Sequence, residues 1–147
     1  MRLSQHKKCF LGTPVETERV DVSPKVIDFQ CVVDNKQVLW LNVTDSGNET
    51  SAHLQQNKRM KVIFFAFDGP YIILRLYGSA KVIHLNDVDW ASLFTRVSPL
   101  PGACQIFDLS IEMVQTSCGM AVPNYEYSSD RELLNDSARN RGEEKIR

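Results

Sequence analysis

One polar stretch, Thr44-Asp45-Ser46-Gly47-Asn48-Glu49-Thr50-Ser51, running into Ala52-His53-Leu54, concentrates the side chains of this chain that could do chemistry. Ser46 followed three residues later by Glu49 matches a capping box, in which each side chain satisfies a backbone N–H at a helix start. Free N–H groups and the positive end of the helix dipole make such a start a ready anion site. The stretch therefore reads as a phosphate cradle, or, the reading favoured from this stretch alone, as a well-capped helix that holds no ligand. His53, one turn further on, suits a ligand contact or acid–base work, or simply the edge of a core. Cys118 beside Gly119 is either a redox thiol or a packing residue, and nothing near it in sequence marks a lowered pKa.

These residues have to be positioned by strands. Cys9 to Thr13 is short and apolar and predicts a first strand, followed by a turn over 14–18. Val20 to Ser23 alternates as a half-buried strand does. Pro24 cannot donate to a ladder and points to an edge or a bulge. An extended segment over 26–33, the turn Asp34-Asn35-Lys36 and a returning strand over 37–43 make a hairpin that delivers the chain to the polar stretch. The helix is predicted over about 47–57, with Ala52 and Leu54 toward the core. Met60 to Phe67 is the most apolar run and reads as a central strand. After the turn Asp68-Gly69-Pro70, a long strand spans 71–85, with Gly78 marking a bend or bulge. Asn86 or Asp87 is placed to cap a short helix through Phe94, with Val88, Trp90 and Leu93 available for packing. A further strand covers 105–114. Thr116-Ser117-Cys118-Gly119 then forms a small polar cluster at a strand end.

Six or seven strands with two or three helices predict a mainly β chain, an antiparallel barrel or sandwich. The organisation expected is a single domain over 1–128 and a charged tail or weak helix over 129–147. The chain has 147 residues, 43% hydrophobic and 24% charged, with a formal charge of −1. That balance excludes the broad basic surface of a general nucleic-acid binder. No apolar run is long enough to cross a bilayer as a helix, and a cytoplasmic location is the expectation. The four cysteines form no Cys-x-x-Cys pair and the three histidines are scattered, so no metal site is expected. There is no Ser-His-Asp signature and no glycine-rich nucleotide loop.

With the elements in place, the chain resembles the pyridoxamine 5′-phosphate oxidase-like group of split-barrel flavoproteins over about Phe10 to Pro123. Four pieces in order carry the resemblance: Val22-Ser23-Pro24-Lys25; Ser46-Gly47-Asn48-Glu49-Thr50 with Ala52-His53-Leu54; Phe67-Asp68-Gly69-Pro70 with Leu74-Arg75-Leu76-Tyr77-Gly78; and Gln115-Thr116-Ser117-Cys118-Gly119 before Val122-Pro123. The resemblance implies an antiparallel split β-barrel of the FMN-binding type with a few flanking helices. It also implies FMN, or a related flavin, held at a homodimer interface. The cofactor-binding residues it implies are Ser23, Lys25, Asn42, Thr44, Ser46, Gly47, Asn48, Thr50, Ser117 and Cys118. Lys25 would meet the phosphate, and Ser46, Asn48 and Thr50 the phosphate or ribityl chain. Asn42 and Thr44 would sit beside the ring, and Ser117-Cys118 would reach the partner subunit's flavin. Arg75 would pair with a carboxylate or shape the pocket. The activity implied is that of an FMN-dependent oxidoreductase, with a reduced nicotinamide as one donor. The flavin supplies the redox chemistry in such proteins, so no protein nucleophile is required. The alternatives are a flavin carrier or sensor without turnover, and a dimeric barrel that has lost its cofactor. The family's tryptophan- and arginine-rich substrate segment has no counterpart over 125–147, so pyridoxamine phosphate itself is not the expected substrate.

Overall fold

The computed structural model describes residues 8–17, 19–26, 30–43, 49–97 and 102–129, together with 131, 133 and 136. Seven strands and two helices follow in the order β1 (Lys8–Thr13), β2 (Asp21–Val26), β3 (Gln30–Val32), β4 (Gln37–Val43), α1 (Glu49–Gln56), β5 (Arg59–Phe65), β6 (Ile72–His84), α2 (Trp90–Phe94) and β7 (Ala103–Cys118). One continuous sheet runs β2-β1-β5-β6-β7-β4-β3, and every pairing in it is antiparallel. The sheet is curled, and α1 packs against its inner face.

Period-2 patterning decides which face each strand presents. On β5, Met60, Val62 and Phe64 are buried while Lys61, Ile63 and Phe65 are half-buried. With Cys9 and Leu11 of β1, Leu74, Leu76 and Ala80 of β6, Val38 and Trp40 of β4, and Phe107 and Leu109 of β7, they form the main core, closed by Leu54 of α1. The opposite face of β4, β6 and β7 carries a second, smaller core of Leu39, Leu41, Ile83 and Ile106 with Val97, covered by Trp90, Leu93 and Phe94 of α2. β4 is consequently buried on both faces, which is why its apolar run Val38 to Leu41 does not alternate.

Pro24 does not end its strand. It pairs opposite Phe10 within β2, and β2 is an edge of the sheet, where a missing N–H costs no ladder bond. Gly78 sits at the expected bulge: the register between β6 and β7 shifts between Tyr77 and Gly78. A β-carbon there would overlap the backbone carbonyl of Ser110, so the sheet bends through a position that tolerates only hydrogen.

Three expectations need correction. Ala52 is exposed, and the buried side chains of α1 are Thr50, Ser51, His53 and Leu54. The helix thus turns a mostly polar face inward, because the sheet presents polar groups to receive it. Val20 lies outside the half-buried strand and is 62% exposed; the inward-facing residues of β2 are Asp21, Ser23 and Lys25, opposite Thr13, Leu11 and Cys9. α2 begins after Asp89, which makes no side-chain capping bond. The Asp87 carboxylate instead accepts from the His84 backbone N–H at 2.7 Å, and Val88 is 95% exposed. No described helix is long and apolar enough to cross a membrane. Nearly all of the tail over 129–147 lies outside the described residues.

Candidate functional site

The polar groups of the inner face converge on the first two turns of α1. Thr50 Oγ1 donates to Asp21 Oδ2 of β2 at 3.2 Å. His53 Nδ1 lies 3.2 Å from both the carbonyl oxygen and Oγ1 of Thr13, at the end of β1. Gln105 of β7 donates from Nε2 to Ser51 Oγ at 3.2 Å, and Asn42 Nδ2 of β4 donates to Gln105 Oε1 at 3.3 Å. The helix is thereby tied to both margins of the curled sheet, β2–β1 on one side and β7–β4 on the other. Thr13, Thr50, Ser51 and His53 are all buried, and buried polar groups keep their place only when hydrogen-bonded. Two of the expected site residues, Asn42 and Thr50, are brought together by this network. Three further members, Thr13, Asp21 and Gln105, carry no local signal in the sequence, since only the curl of the sheet brings them to the helix.

Ser23 and Lys25 share the inner face with Asp21 but lie further along β2. Lys25 is four residues from Asp21, about 13 Å along the strand. Its backbone carbonyl lies 3.8 Å from the Cys9 thiol, which is placed to donate to it. Thr44, Ser46, Gly47 and Asn48, the heart of the expected cradle, lie outside the described residues, as does the Ser46 half of the capping box.

Ser117 and Cys118 do not join this network within one chain. β7 runs unbroken from Ala103 to Cys118, so the small polar cluster expected at a strand end is itself strand. Ser117 is twelve residues from Gln105, roughly 40 Å along an extended chain. The bulge beside Glu112 also reverses which face β7 presents. Ile111, Leu109 and Phe107 pair with Gly78, Ala80 and Val82, whereas Val114 and Thr116 pair with Leu76 and Leu74. Ser117 consequently faces outward, where Arg75 donates to its Oγ at 2.5 Å. Among the described residues Arg75 pairs with this hydroxyl and not with a carboxylate. Cys118 is exposed with a free thiol, and Cys9 is buried. Gly119 packs so closely on Tyr71 and Ile72 that a β-carbon would lie 3.1 Å from their backbone.

A cleft of about 740 Å³ opens beside α1, lined by Thr17, Arg19, Val20, Asp21, Glu49 and His53. Two carboxylates and an imidazole face one guanidinium there, a poor match for a dianionic phosphate. The described part of the helix start therefore does not fit the phosphate of a flavin nucleotide. Among the described residues no cluster of three or more His, Cys, Asp or Glu side chains could hold a metal ion.

The curled antiparallel sheet with α1 against its inner face defines a split barrel of the pyridoxamine 5′-phosphate oxidase-like type. A pyridoxamine 5′-phosphate oxidase-related, FMN-binding protein of Nostoc punctiforme superposes with a TM-score of 0.58 at 13% identity, over 78% of this chain and 76% of that one. An F420 reductase does so with a TM-score of 0.51 at 14% identity, over 74% and 88%. In sequence, the chain is 36% identical over 125 residues to the pyridoxamine 5′-phosphate oxidase family protein ustO of Aspergillus flavus, a match over 82% of this chain and 50% of that protein. The chain thus spans about half the length of the curated relative it matches. No protein-family model matches the sequence. Fold and sequence together place the chain in the pyridoxamine 5′-phosphate oxidase-like family, as the four sequence pieces imply.

Proposed function

We propose that this chain binds a flavin, FMN in the first instance, as a homodimeric oxidoreductase of its family. The observation that carries the reading is the polar network of Asn42, Gln105, Ser51, Thr50 and Asp21, which gathers hydrogen-bonding groups from β2, β4 and β7 around one helix start. A core of this size would bury apolar residues there if only packing mattered. The phosphate belongs away from the acidic cleft, on the side of Ser23 and Lys25. The separation of Ser117 and Cys118 from the network supports a site completed by a second copy. So does the outer surface, where Val20, Val22 and Met113 are each more than half exposed. The flavin supplies electron transfer when bound; the chain's own residues orient it and exclude water.

The test is a visible spectrum of the purified protein before and after excess FMN and desalting. A retained flavin spectrum is expected, and Lys25→Ala then lowers retention with the fold intact. A folded protein that retains no flavin after this treatment overturns the reading. The F420 reductase neighbour supports a second arm, in which the deazaflavin is offered in place of FMN.

A further inference from the structure

The outer face of the sheet carries a groove of about 520 Å³, and strand register shows how it is built. One row of residues crosses four strands: Val22 of β2 lies opposite Gly12 of β1, Gly12 opposite Lys61 of β5, and Lys61 opposite Tyr77 of β6. Gly12 is the gap in that row. The backbone does not require a glycine there. Its φ lies outside the left-handed region, and an added β-carbon would meet nothing nearer than the Asp21 and Lys61 carbonyl oxygens, at 3.9 and 4.0 Å. A glycine inside a strand without such a need marks a place that something else approaches closely. The pit it leaves is bounded along β1 by Phe10 and Pro14, its neighbours on the same face. The apolar wall continues over Ile63, which pairs with Phe10. Arg59 and Lys61 follow each other on this face of β5. Lys61 Nζ stands over the Tyr77 ring, 5.0 Å from its centroid. Arg59 donates from Nε to Asn57 Oδ1 at 3.3 Å, which leaves its terminal nitrogens for another acceptor. Glu112 also lines the groove, and its carboxylate accepts from Ser79 Oγ at 2.6 Å. Among the described residues no ion pair joins Arg59 or Lys61 to a carboxylate.

We propose that this groove binds a free fatty acid, its alkyl chain filling the pit over Gly12 and its carboxylate meeting Arg59 and Lys61. The described lining sets two cations against one carboxylate, so charge selects an anion. Arg59 takes a carboxylate as a charge-assisted, fork-like pair and Lys61 adds a point charge. The apolar walls select a chain, because the gain from burial grows with each methylene removed from water. The pit is the space of one missing side chain, which suits the end of an alkyl chain and not the broad face of a fused ring. The proposal is independent of flavin binding.

The experiment is an NMR titration of the full chain with sodium octanoate, following the Gly12 and Lys61 amides. 1-Octanol serves as the neutral chain and acetate as the headgroup without a chain. Saturable shifts with octanoate are expected, with 1-octanol at least about tenfold weaker and acetate silent. Arg59→Gln, at an exposed position, is expected to weaken octanoate binding about tenfold. Gly12→Val fills the pit and is expected to abolish saturation. Its urea midpoint should stay at that of the unmodified protein, because the β-carbon has room. No saturation with octanoate, 1-octanol binding as tightly as octanoate, or undiminished octanoate affinity in both variants overturns the proposal. Light scattering recorded alongside tests the other occupant of this face. Binding at unchanged mass supports the proposal; octanoate that binds only as the mass of a dimer is lost makes a second copy the occupant and overturns it.

Discussion

At the scale of single residues, the costly positions are the buried polar ones. Thr13 is 0% exposed and its hydroxyl meets His53 Nδ1. Replacing His53 by leucine keeps the volume and strands the hydroxyl. We expect His53→Leu to lower stability by about 1–3 kcal/mol, the penalty for an unsatisfied buried group. Adding Thr13→Val to that variant should recover part of the loss, because both partners are then apolar. Urea unfolding of the four proteins of the cycle measures the coupling, and a cycle with no coupling would show that the contact contributes nothing. The sequence marks His53 as a residue of interest beside a helix start. It does not show that Thr13, forty positions earlier, receives the imidazole, since no local pattern encodes a contact made by sheet curvature.

Among the elements, β6 and β7 do the most to shape the molecule. Gly78 was legible as a bend, because a glycine inside an apolar strand has few other uses. Its consequence was not. One inserted residue moves β7 from presenting odd-numbered side chains inward to presenting even-numbered ones, so Ser117 turns outward to Arg75. Gly78→Ala drives a methyl group into the Ser110 backbone. The expected result is a loss of about 1–3 kcal/mol or more, seen as a lower urea midpoint with an unchanged slope. A midpoint equal to that of the unmodified protein would mean the bulge relaxes freely. Among the described residues the distal half of β7 has a paired strand on one side only, because β4 accompanies it no further than Ser110. Met113 and Val114 are both about half exposed there, although they point to opposite faces.

For the whole molecule, such a ribbon is a liability unless something covers it. A groove of about 520 Å³ on the same outer surface, lined by Phe10, Val20, Val22, Ile63 and Tyr77 among others, adds to the uncovered apolar area. Under the homodimer reading, light scattering should give twice the chain mass of 16.7 kDa. Val22→Lys with Met113→Lys should shift it to the monomer. Both side chains are more than half exposed in the single chain, so the monomer's own stability should change by no more than about 0.5 kcal/mol per site. A variant that stays dimeric would place the interface elsewhere.

What the amino-acid order determined by itself was the alternation of the strands, the turns between them, the edge position of Pro24, the bend at Gly78 and the ordered motifs that carry the family resemblance. These are local signals, written in side-chain period and backbone permissiveness. Tertiary structure decided the rest. It turned α1 so that Thr50, Ser51 and His53 face inward in place of Ala52, because the margins of a curled sheet offered Asp21, Thr13 and Gln105 as partners. It also set Ser117 and Cys118 far from the polar network of their own chain, because a sixteen-residue strand is a rigid spacer. Burial and hydrogen-bond satisfaction are properties of the curled sheet, and no stretch of sequence holds them alone.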